Sequence, residues 1–239
     1  MNGLDSLLGY GAEIPDRDAG AGLLEALMAS QTSPAQGTGE MLQDPFPREA
    51  SVKGKDKGKG KESDTLTNIR IPAGTNPTFK ANTTINGVIY IESPNIVTFK
   101  GNTTICGVIV AEQPEIENLS ANQIHFEGNV TSSGVENLPA GREFDGLREL
   151  TGSFLLAPGF STRFKGKSNM LSGWTVASSF DFSGNGNAKI RGGVMNLNDS
   201  NFLVGGNRTM TIDKASVAAQ PAGMVATHVL TCVPGSYEE

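Results

Sequence analysis

The sequence has few of the residues from which most enzyme sites and large globular cores are built. Only 6% of its 239 residues are aromatic, and it has two histidines and two cysteines. With 37% hydrophobic residues in total, this aromatic content is low for a conventional globule. The two cysteines, Cys106 and Cys232, permit one disulfide or two free thiols, so both their pairing and the redox compartment stay open.

Long apolar runs and an excess of basic charge are also missing. No stretch approaches the roughly 18 consecutive apolar residues that a membrane-spanning helix needs. The N-terminus has acidic Asp5 and no basic start before an apolar run, so we do not expect a secretory signal. The formal net charge is −6, which provides no general attraction for nucleic acid or an anionic membrane. We therefore predict no nucleic-acid partner and no membrane span.

Glycine is abundant, with 30 residues, and a short phrase is repeated six times. The phrase begins with Phe or Leu and continues, in most copies, with glycine or asparagine. Three of the steps between consecutive copies are close to one common length, and the other two are longer. That common length is roughly 20 residues, which is typical of a β-solenoid, in which each turn, or rung, stacks on the next. The first residues of the copies are Phe79, Phe99, Phe126, Phe164, Phe182 and Leu203.

Two consecutive copies indicate how the rungs stack. Residues 81–90 and 101–110 are identical at seven of ten positions when they are aligned without gaps. Their alternating apolar pattern predicts strands, and the alignment places Ile85 on Ile105 in parallel strands about 4.8 Å apart. The sequence therefore predicts an all-β fold. We expect a right-handed parallel β-helix of about six or seven rungs, preceded by a mostly disordered N-terminal arm.

Composition divides the chain into three parts. Residues 1–64 contain a short amphipathic segment at 19–30 and a Lys/Gly run at 53–61, which predict a flexible arm with a short helix and a linker. Residues 65–217 carry the repeats and form the predicted parallel β-helix. Residues 218–239 are predicted to form a C-terminal cap or tail.

The repeats are interrupted twice. The long step from Phe99 to Phe126 places seven extra residues near 113–120, in a polar and acidic loop. A second interruption is predicted at 137–161, with a short helix at 143–150 and a strand that ends in a turn at Pro158-Gly159. Insertions in solenoids form loops on one face, which is often the binding face.

Three residue types recur at fixed places and define a predicted structural ladder. Phenylalanine opens five of the six phrases, and asparagine follows it by three positions in four copies. We expect the asparagine amides to bond the turn backbone and each other; the alternative is a polar stripe that meets sugar or another subunit. A glycine follows by eight positions in three copies. The ladder comprises Phe79, Phe99, Phe126, Phe164, Phe182, Asn82, Asn102, Asn129, Asn185, Gly87, Gly107 and Gly134.

Catalytic candidates are few. His125 and Glu127 share one face of a predicted strand and are able in principle to do acid/base chemistry, but such a pair is more often a surface pair. Asp145, Arg148 and Glu149 in the second interruption offer an acid cluster, which the surface of an amphipathic helix explains equally well. The paired aspartates of pectin-degrading β-helices do not occur. We predict no catalytic residue, cofactor or metal, and therefore no enzyme.

Several phrases carry a resemblance to known proteins. They include residues 85–91 (Ile-Asn-Gly-Val-Ile-Tyr-Ile), 124–131, 156–160 and 182–185. Over about residues 68–224 the chain resembles the β-helical domain of bacterial, planctomycete-type PilX-like or Tad-type pilus-associated proteins. It is more weakly similar to bactofilins, which are polymer-forming cytoskeletal β-helices. Neither resemblance implies a catalytic residue at any position.

These observations lead to one functional expectation and two alternatives. We expect a non-enzymatic structural or adhesive β-helix of the cell envelope or exterior, with pilus or secretion components as partners. The first alternative is a self-assembling, bactofilin-like scaffold, which would be cytoplasmic. The second is a β-helix that binds or cleaves polysaccharide, for which Tyr90 and Trp174 are the obvious exposed aromatic candidates in the rungs.

Overall fold

The computed structural model describes residues 48–49, 65–166, 168–183, 187–198, 202–207, 209–213 and 221. Strands dominate this part of the chain, and no α-helix occurs within it. Its three helical turns are of the 3₁₀ type and lie at Val135–Asn137, Arg142–Phe144 and Leu147–Glu149. This part of the chain is therefore all-β, as the alternating apolar pattern predicts.

Fifteen strands lie in the described residues and belong to one sheet, within which every described strand pair is parallel. In chain order they are β1 (Arg48–Glu49), β2 (Thr65–Ile71), β3 (Thr78–Phe79), β4 (Thr83–Ile91), β5 (Ile96–Lys100), β6 (Thr103–Ala111), β7 (Gln123–Glu127), β8 (Val130–Ser133), β9 (Ser153–Phe164), β10 (Ser168–Ser172), β11 (Trp174–Phe182), β12 (Ala188–Arg191), β13 (Val194–Asn196), β14 (Phe202–Val204) and β15 (Met210–Asp213).

Strands β4 and β6 pair residue for residue over their whole length. Thr83 lies opposite Thr103, Ile85 opposite Ile105, and the register continues without a shift to Ile91 and Ala111. This constant offset confirms the register predicted from the two similar segments. Because each side chain lies next to its counterpart in the following repeat, apolar residues contact apolar residues across the strand boundary.

The longer strands change partners along their length. The first part of β6 pairs with β8, whereas Ile109 and Val110 pair with Leu155 and Leu156 of β9. The last part of β9 in turn pairs with β7, where Phe164 lies opposite Phe126. The sheet is therefore branched. Apart from β1 and β2, the strands that pair in the described part of the chain are not consecutive in sequence, and they do not form one flat row.

The main core consists of the side chains on the inner face of these strands. It is made of phenylalanine, isoleucine, valine, leucine and alanine, most of them without measurable exposure. The few described aromatic residues are concentrated here, since eight phenylalanines are fully buried. A low aromatic content thus suffices because the phenylalanines are placed where they contact one another.

The second interruption is shorter than predicted. The sheet resumes at Ser153, and β9 continues through Pro158-Gly159 to Phe164 instead of ending in a turn there. The extra residues are absorbed by a register shift opposite β11, where Gly159 has a φ of 74°. The predicted helix at 143–150 is replaced by 3₁₀ turns at Arg142–Phe144 and Leu147–Glu149.

The sixth repeat is aligned one residue differently from the prediction. Val204, not Leu203, lies opposite Phe182, and Leu203 lies opposite Asp181. The predicted arm at 1–64 and the predicted cap at 218–239 lie outside the described residues, apart from β1 and Pro221. Within β1, Arg48 lies opposite Ile69 of β2.

Candidate functional site

The five phenylalanines of the predicted ladder lie in one continuous stack. The ring centroids are separated by 4.9 Å between Phe79 and Phe99 and by 5.1 Å between Phe99 and Phe126. The distances continue at 4.6 Å from Phe126 to Phe164 and 4.9 Å from Phe164 to Phe182, with interplanar angles of 3° to 10°. All five rings are buried. The stack therefore joins strands β3, β5, β7, β9 and β11, including those separated by the two interruptions.

The asparagines of the ladder form an exposed row of hydrogen bonds. Asn102 donates its side-chain amide to Oδ1 of Asn82 at 3.4 Å, and Asn129 donates to Oδ1 of Asn102 at 2.9 Å. Asn82 has a φ of 65°, a conformation that asparagine tolerates better than most residues. The amides of this row therefore bond one another from repeat to repeat, as predicted. Asn185 lies outside the described residues.

The three ladder glycines have different surroundings. Gly87 and Gly107 have φ values of 97° and 147° and lie one above the other in β4 and β6. A Cβ on Gly87 would lie 1.9 Å from Oδ1 of Asn68. Gly134 instead has an extended backbone with a φ of −66°, and a Cβ there would first meet the carboxylate of Glu136. Only the first two glycines are required by their backbone conformation.

A second, buried asparagine row crosses the corner that precedes β5 and β7. Oδ1 of Asn95 accepts the backbone N–H of Asn76 at 2.8 Å, and Oδ1 of Asn122 accepts that of Asn95 at 3.2 Å. The Asn95 amide also donates to the carbonyls of Pro72 and Glu92. Asn95 and Asn122 are almost fully buried. Buried amides that satisfy several backbone groups fix the chain at this corner.

Glutamates close the same corner from outside. Glu92 accepts the N–H of Ala73 at 3.0 Å and an N–H of Arg70, and Glu112 accepts the N–H of Ser93 at 2.9 Å. Burial acts to raise the pKa of Glu92, but the hydrogen bonds from Ala73 and Arg70 outweigh it and hold that pKa below its ordinary value. These carboxylates serve the backbone.

The second interruption covers the outer face of the sheet. Residues 134–150 bring Val135, Leu138, Phe144 and Leu147 onto outward-facing residues of β4, β6, β9 and β11, where they form a second apolar cluster. Cys106 is buried in this cluster as a free thiol, with its Sγ 3.7 Å from the carbonyl oxygen of Gly134. The predicted binding loop is thus a lid over apolar surface. Cys232 lies outside the described residues.

The loop between β6 and β7 lies against later strands. A Cβ on Gly159 would lie 2.4 Å from Cδ of Pro114, so the proline packs directly on β9. Further along, Asn198 donates to the carboxylate of Glu117 at 3.1 Å, a contact between residues 81 positions apart. Asn118 accepts the N–H groups of Ser120 and Ala121 and shapes the turn. Both interruptions therefore pack against the sheet.

The two aromatic candidates for sugar binding are partly buried and lie on different strands. Tyr90 of β4 packs against the second apolar cluster, and burial, then Glu112 and Glu92, raise its pKa. Trp174 of β11 contacts Gly193, where a Cβ would lie 2.4 Å from the indole ring. Its Nε1 is buried and makes no hydrogen bond within the described chain. Within the described residues, β4 and β11, which carry these rings, do not pair with each other.

A polar face runs along the outside of β5, β7 and the last part of β9. His125 lies opposite Thr98 on one side and Arg163 on the other, and Arg163 pairs with Asp181 at 2.7 Å. The ring Nε2 of His125 is 2.7 Å from Oε1 of Gln123. Burial lowers the pKa of His125, and Arg163 lowers it further. His125 and Glu127 share this face, but His125 bonds Gln123.

Glu127 lies between two lysines on the same face. Its carboxylate oxygens are 4.0 Å from Nζ of Lys100 and 3.8 Å from Nζ of Lys165. Each of these residues directly follows a phenylalanine of the stack, as does Lys80. The stacked core thus places charged side chains at regular intervals on the surface.

The second acid candidate is an exposed ion pair. Arg148 pairs with Asp145 and donates to the carbonyl of Pro139, which holds the lid segment together. No group of three or more His, Cys, Asp or Glu side chains suited to a metal ion occurs within the ranges described above. In the same part of the chain, no helix has both the length and the apolar character needed to cross a membrane.

Comparison with protein-family models, with curated proteins and with solved structures finds no match.

Proposed function

We propose that the parallel strands form a right-handed β-helix of six or seven rungs. Support comes from the constant offset between β4 and β6 and from the stack of phenylalanines that continues across five strands. Parallel strands joined through a crossover in one sheet are right-handed in nearly all proteins, which gives the hand. Each rung buries its apolar residues by stacking on the next.

The β-helix serves as a non-enzymatic structural or adhesive element. The observation that carries this proposal is the continuous stack from Phe79 to Phe182. Such a stack makes a stiff rod with lateral faces. Polar side chains hold the corners of this rod, and residues 134–150 cover its outer apolar surface. A rod of this kind acts by holding surfaces at fixed spacing.

The place of this rod is the cell envelope or the exterior, with pilus or secretion components as partners. The resemblance of residues 68–224 to pilus-associated β-helical proteins supports this part. The test is to tag the chain in its source organism, fractionate the cells and cross-link the intact chain to its neighbours. Recovery with envelope or pilus proteins is expected. Recovery from the cytoplasm without such neighbours contradicts the proposed location.

Self-association is a second candidate function, because the two ends of the described sheet differ. At the end formed by β14 and β15, Phe202, Leu203, Val204 and Ile212 are 41% to 53% exposed. At the other end β1 pairs with β2, and Phe79 is only 2% exposed. Exposed apolar strands are surfaces on which a further strand adds readily.

Because only one of the two ends is exposed and apolar, a closed pair of copies is favoured over an open filament. A filament needs two ends that bind each other, whereas contact between the same end of two copies forms a two-fold dimer that stops growing. Sedimentation of the full chain and of its Leu203→Lys variant distinguishes these outcomes. A dimer that the substitution dissociates supports association through β14. Filaments in electron micrographs support the bactofilin-like scaffold, and a monomer at all concentrations removes self-association.

A further inference from the structure

The chain is acidic, but one of its faces is basic. The basic face consists of the outward residues of the strands that carry the phenylalanine stack: Lys80, Lys100, His125, Glu127, Arg163, Lys165 and Asp181. Four cations stand against two carboxylates, a formal charge of +2 in a chain of −6. Acidic side chains of the described residues are concentrated elsewhere, in the loop 112–117 and the lid 134–150.

The geometry of this face is linear. Lys100 and Glu127 lie opposite each other in β5 and β7, and Lys165 continues the row after β9. Neighbouring parallel strands are about 4.8 Å apart, so charged groups recur along the row at that interval. The row follows the direction in which the strands stack. A partner that fits it is extended and carries anionic groups at short regular intervals.

The two lysines beside Glu127 make only weak internal ion pairs. The carboxylate of Glu127 is 4.0 Å from Nζ of Lys100 and 3.8 Å from Nζ of Lys165. Both lysine side chains are half exposed, and exposed ion pairs of this kind are weak. Arg163 is held by Asp181 and lies beside His125. The positive field at this point acts on His125, whose pKa is lowered by burial and then by Arg163.

We propose that the basic face binds a linear acidic polysaccharide, one that carries a carboxylate on each sugar. Ammonium and guanidinium groups meet carboxylates by charge-assisted hydrogen bonds, and Thr98 and Gln123 beside them offer partners for sugar hydroxyls. Proteins that bind single-stranded nucleic acid combine a positively charged groove with aromatic side chains on which the bases stack. Outward positions of this face in the described strands carry no Phe, Tyr or Trp. The inference rests on the adhesive part of the proposed function and names its partner.

The test measures binding of the full chain to polygalacturonate by titration calorimetry, with neutral dextran as the reference polymer. The double variant Lys100→Gln with Lys165→Gln is expected to bind about tenfold more weakly, because each exposed charge contact contributes up to a few-fold. Glu127→Gln removes the carboxylate between the lysines, so it is expected to bind a few-fold more tightly. Added salt is expected to weaken all binding.

The matched control removes the same charge from another face. Lys189 and Arg191 are exposed on β12, and the variant with both changed to Gln is expected to bind within about twofold of the natural chain. The assignment is overturned if polygalacturonate binds no better than dextran, or if both double variants weaken binding equally. It is also overturned if a single-stranded oligonucleotide binds more tightly than polygalacturonate. The outcome of the cell-fractionation test does not depend on these results. The proposed function and the proposed polysaccharide binding can therefore be contradicted independently of each other.

Discussion

Gly107 lies directly against the backbone of Gly87 in the neighbouring strand. A Cβ on Gly107 would lie 1.8 Å from the carbonyl oxygen of Gly87, closer than any side chain can approach. The φ of Gly107 is 147°, so its conformation also disfavours other residues. Position 107 therefore favours glycine for two reasons, the close approach of a neighbouring backbone and a positive φ. It lies in the middle of the paired stretch of β4 and β6.

Replacing Gly107 by alanine is expected to lower the free energy of unfolding by about 3 kcal/mol, since strain and overpacking act together. Gly74→Ala is the matched control. Gly74 also has a positive φ, 73°, but a Cβ there meets nothing within 4 Å. Its expected cost is about 1 kcal/mol, from the backbone alone. Urea unfolding measures both, and equal losses would show that the close approach contributes nothing.

Asn95→Ala is expected to destabilise the chain more than Asn102→Ala. Asn95 is buried and bonds Asn76, Pro72 and Glu92, so its loss leaves several buried backbone groups unsatisfied, at about 2–4 kcal/mol. Asn102 is exposed, and water replaces its amide contacts at a cost of about 1 kcal/mol or less. Thermal and urea unfolding compare the two variants. The reverse order would assign the structural role to the exposed row.

Phe144→Ala is expected to open the lid over Cys106. The phenylalanine is buried in the apolar cluster that includes the thiol, so its removal exposes the cluster to solvent. The rate of maleimide labelling of the folded chain reports this directly, because buried thiols react slowly. A Cys232→Ser background leaves one thiol to follow. Arg142→Ala, which changes an exposed side chain of the same segment, serves as the control. An unchanged rate after Phe144→Ala would show that this ring does not shield Cys106.

Stability is expected to fall on mild acidification because of His125. Burial, then Arg163, lowers its folded-state pKa, so the unfolded chain takes up a proton first as the pH drops. Above the unfolded-state pKa of about 6.5, His125 is neutral in both the folded and the unfolded chain, so it contributes no pH dependence. Below that pH the free energy of unfolding falls until the folded-state pKa of His125 is passed. His125→Gln is expected to remove this component. Urea unfolding of both proteins from about pH 8 to pH 5 tests it, and parallel curves would contradict it.

Local repetition explains which parts of the fold the sequence predicts. The stack at Phe79, Phe99 and Phe126 and the register of β4 on β6 follow from phrases in which similar residues recur at matching places. The buried row at Asn95 and Asn122 is not predicted, although Ser-Pro-Asn at 93–95 marks a corner. Its members are 27 positions apart and belong to unlike segments, because the loop 112–122 intervenes.

The packing of the interruptions could not be read from the sequence. Phe144 and Leu147 have no repeat partner, so nothing in their spacing indicates that they cover the outer face of β4 and β6. Pro158-Gly159 carries a turn signal, yet β9 absorbs it as a register shift. The strand is held because β11 pairs with it on both sides of this dipeptide, β6 pairs with it before and β7 after. At β14 the prediction of Leu203 rather than Val204 was wrong, since both are apolar and the neighbouring glycines fit either alignment.

The contact of Glu117 with Asn198 forms later in synthesis than the pairing of neighbouring repeats. Neighbouring strands such as β4 and β6 pair residues of consecutive repeats, so they can associate as soon as both have left the ribosome. The loop that carries Glu117 must wait until the chain has grown by another 81 positions. This hydrogen bond therefore reports that synthesis has passed Asn198, and a chain that stops before Asn198 lacks it.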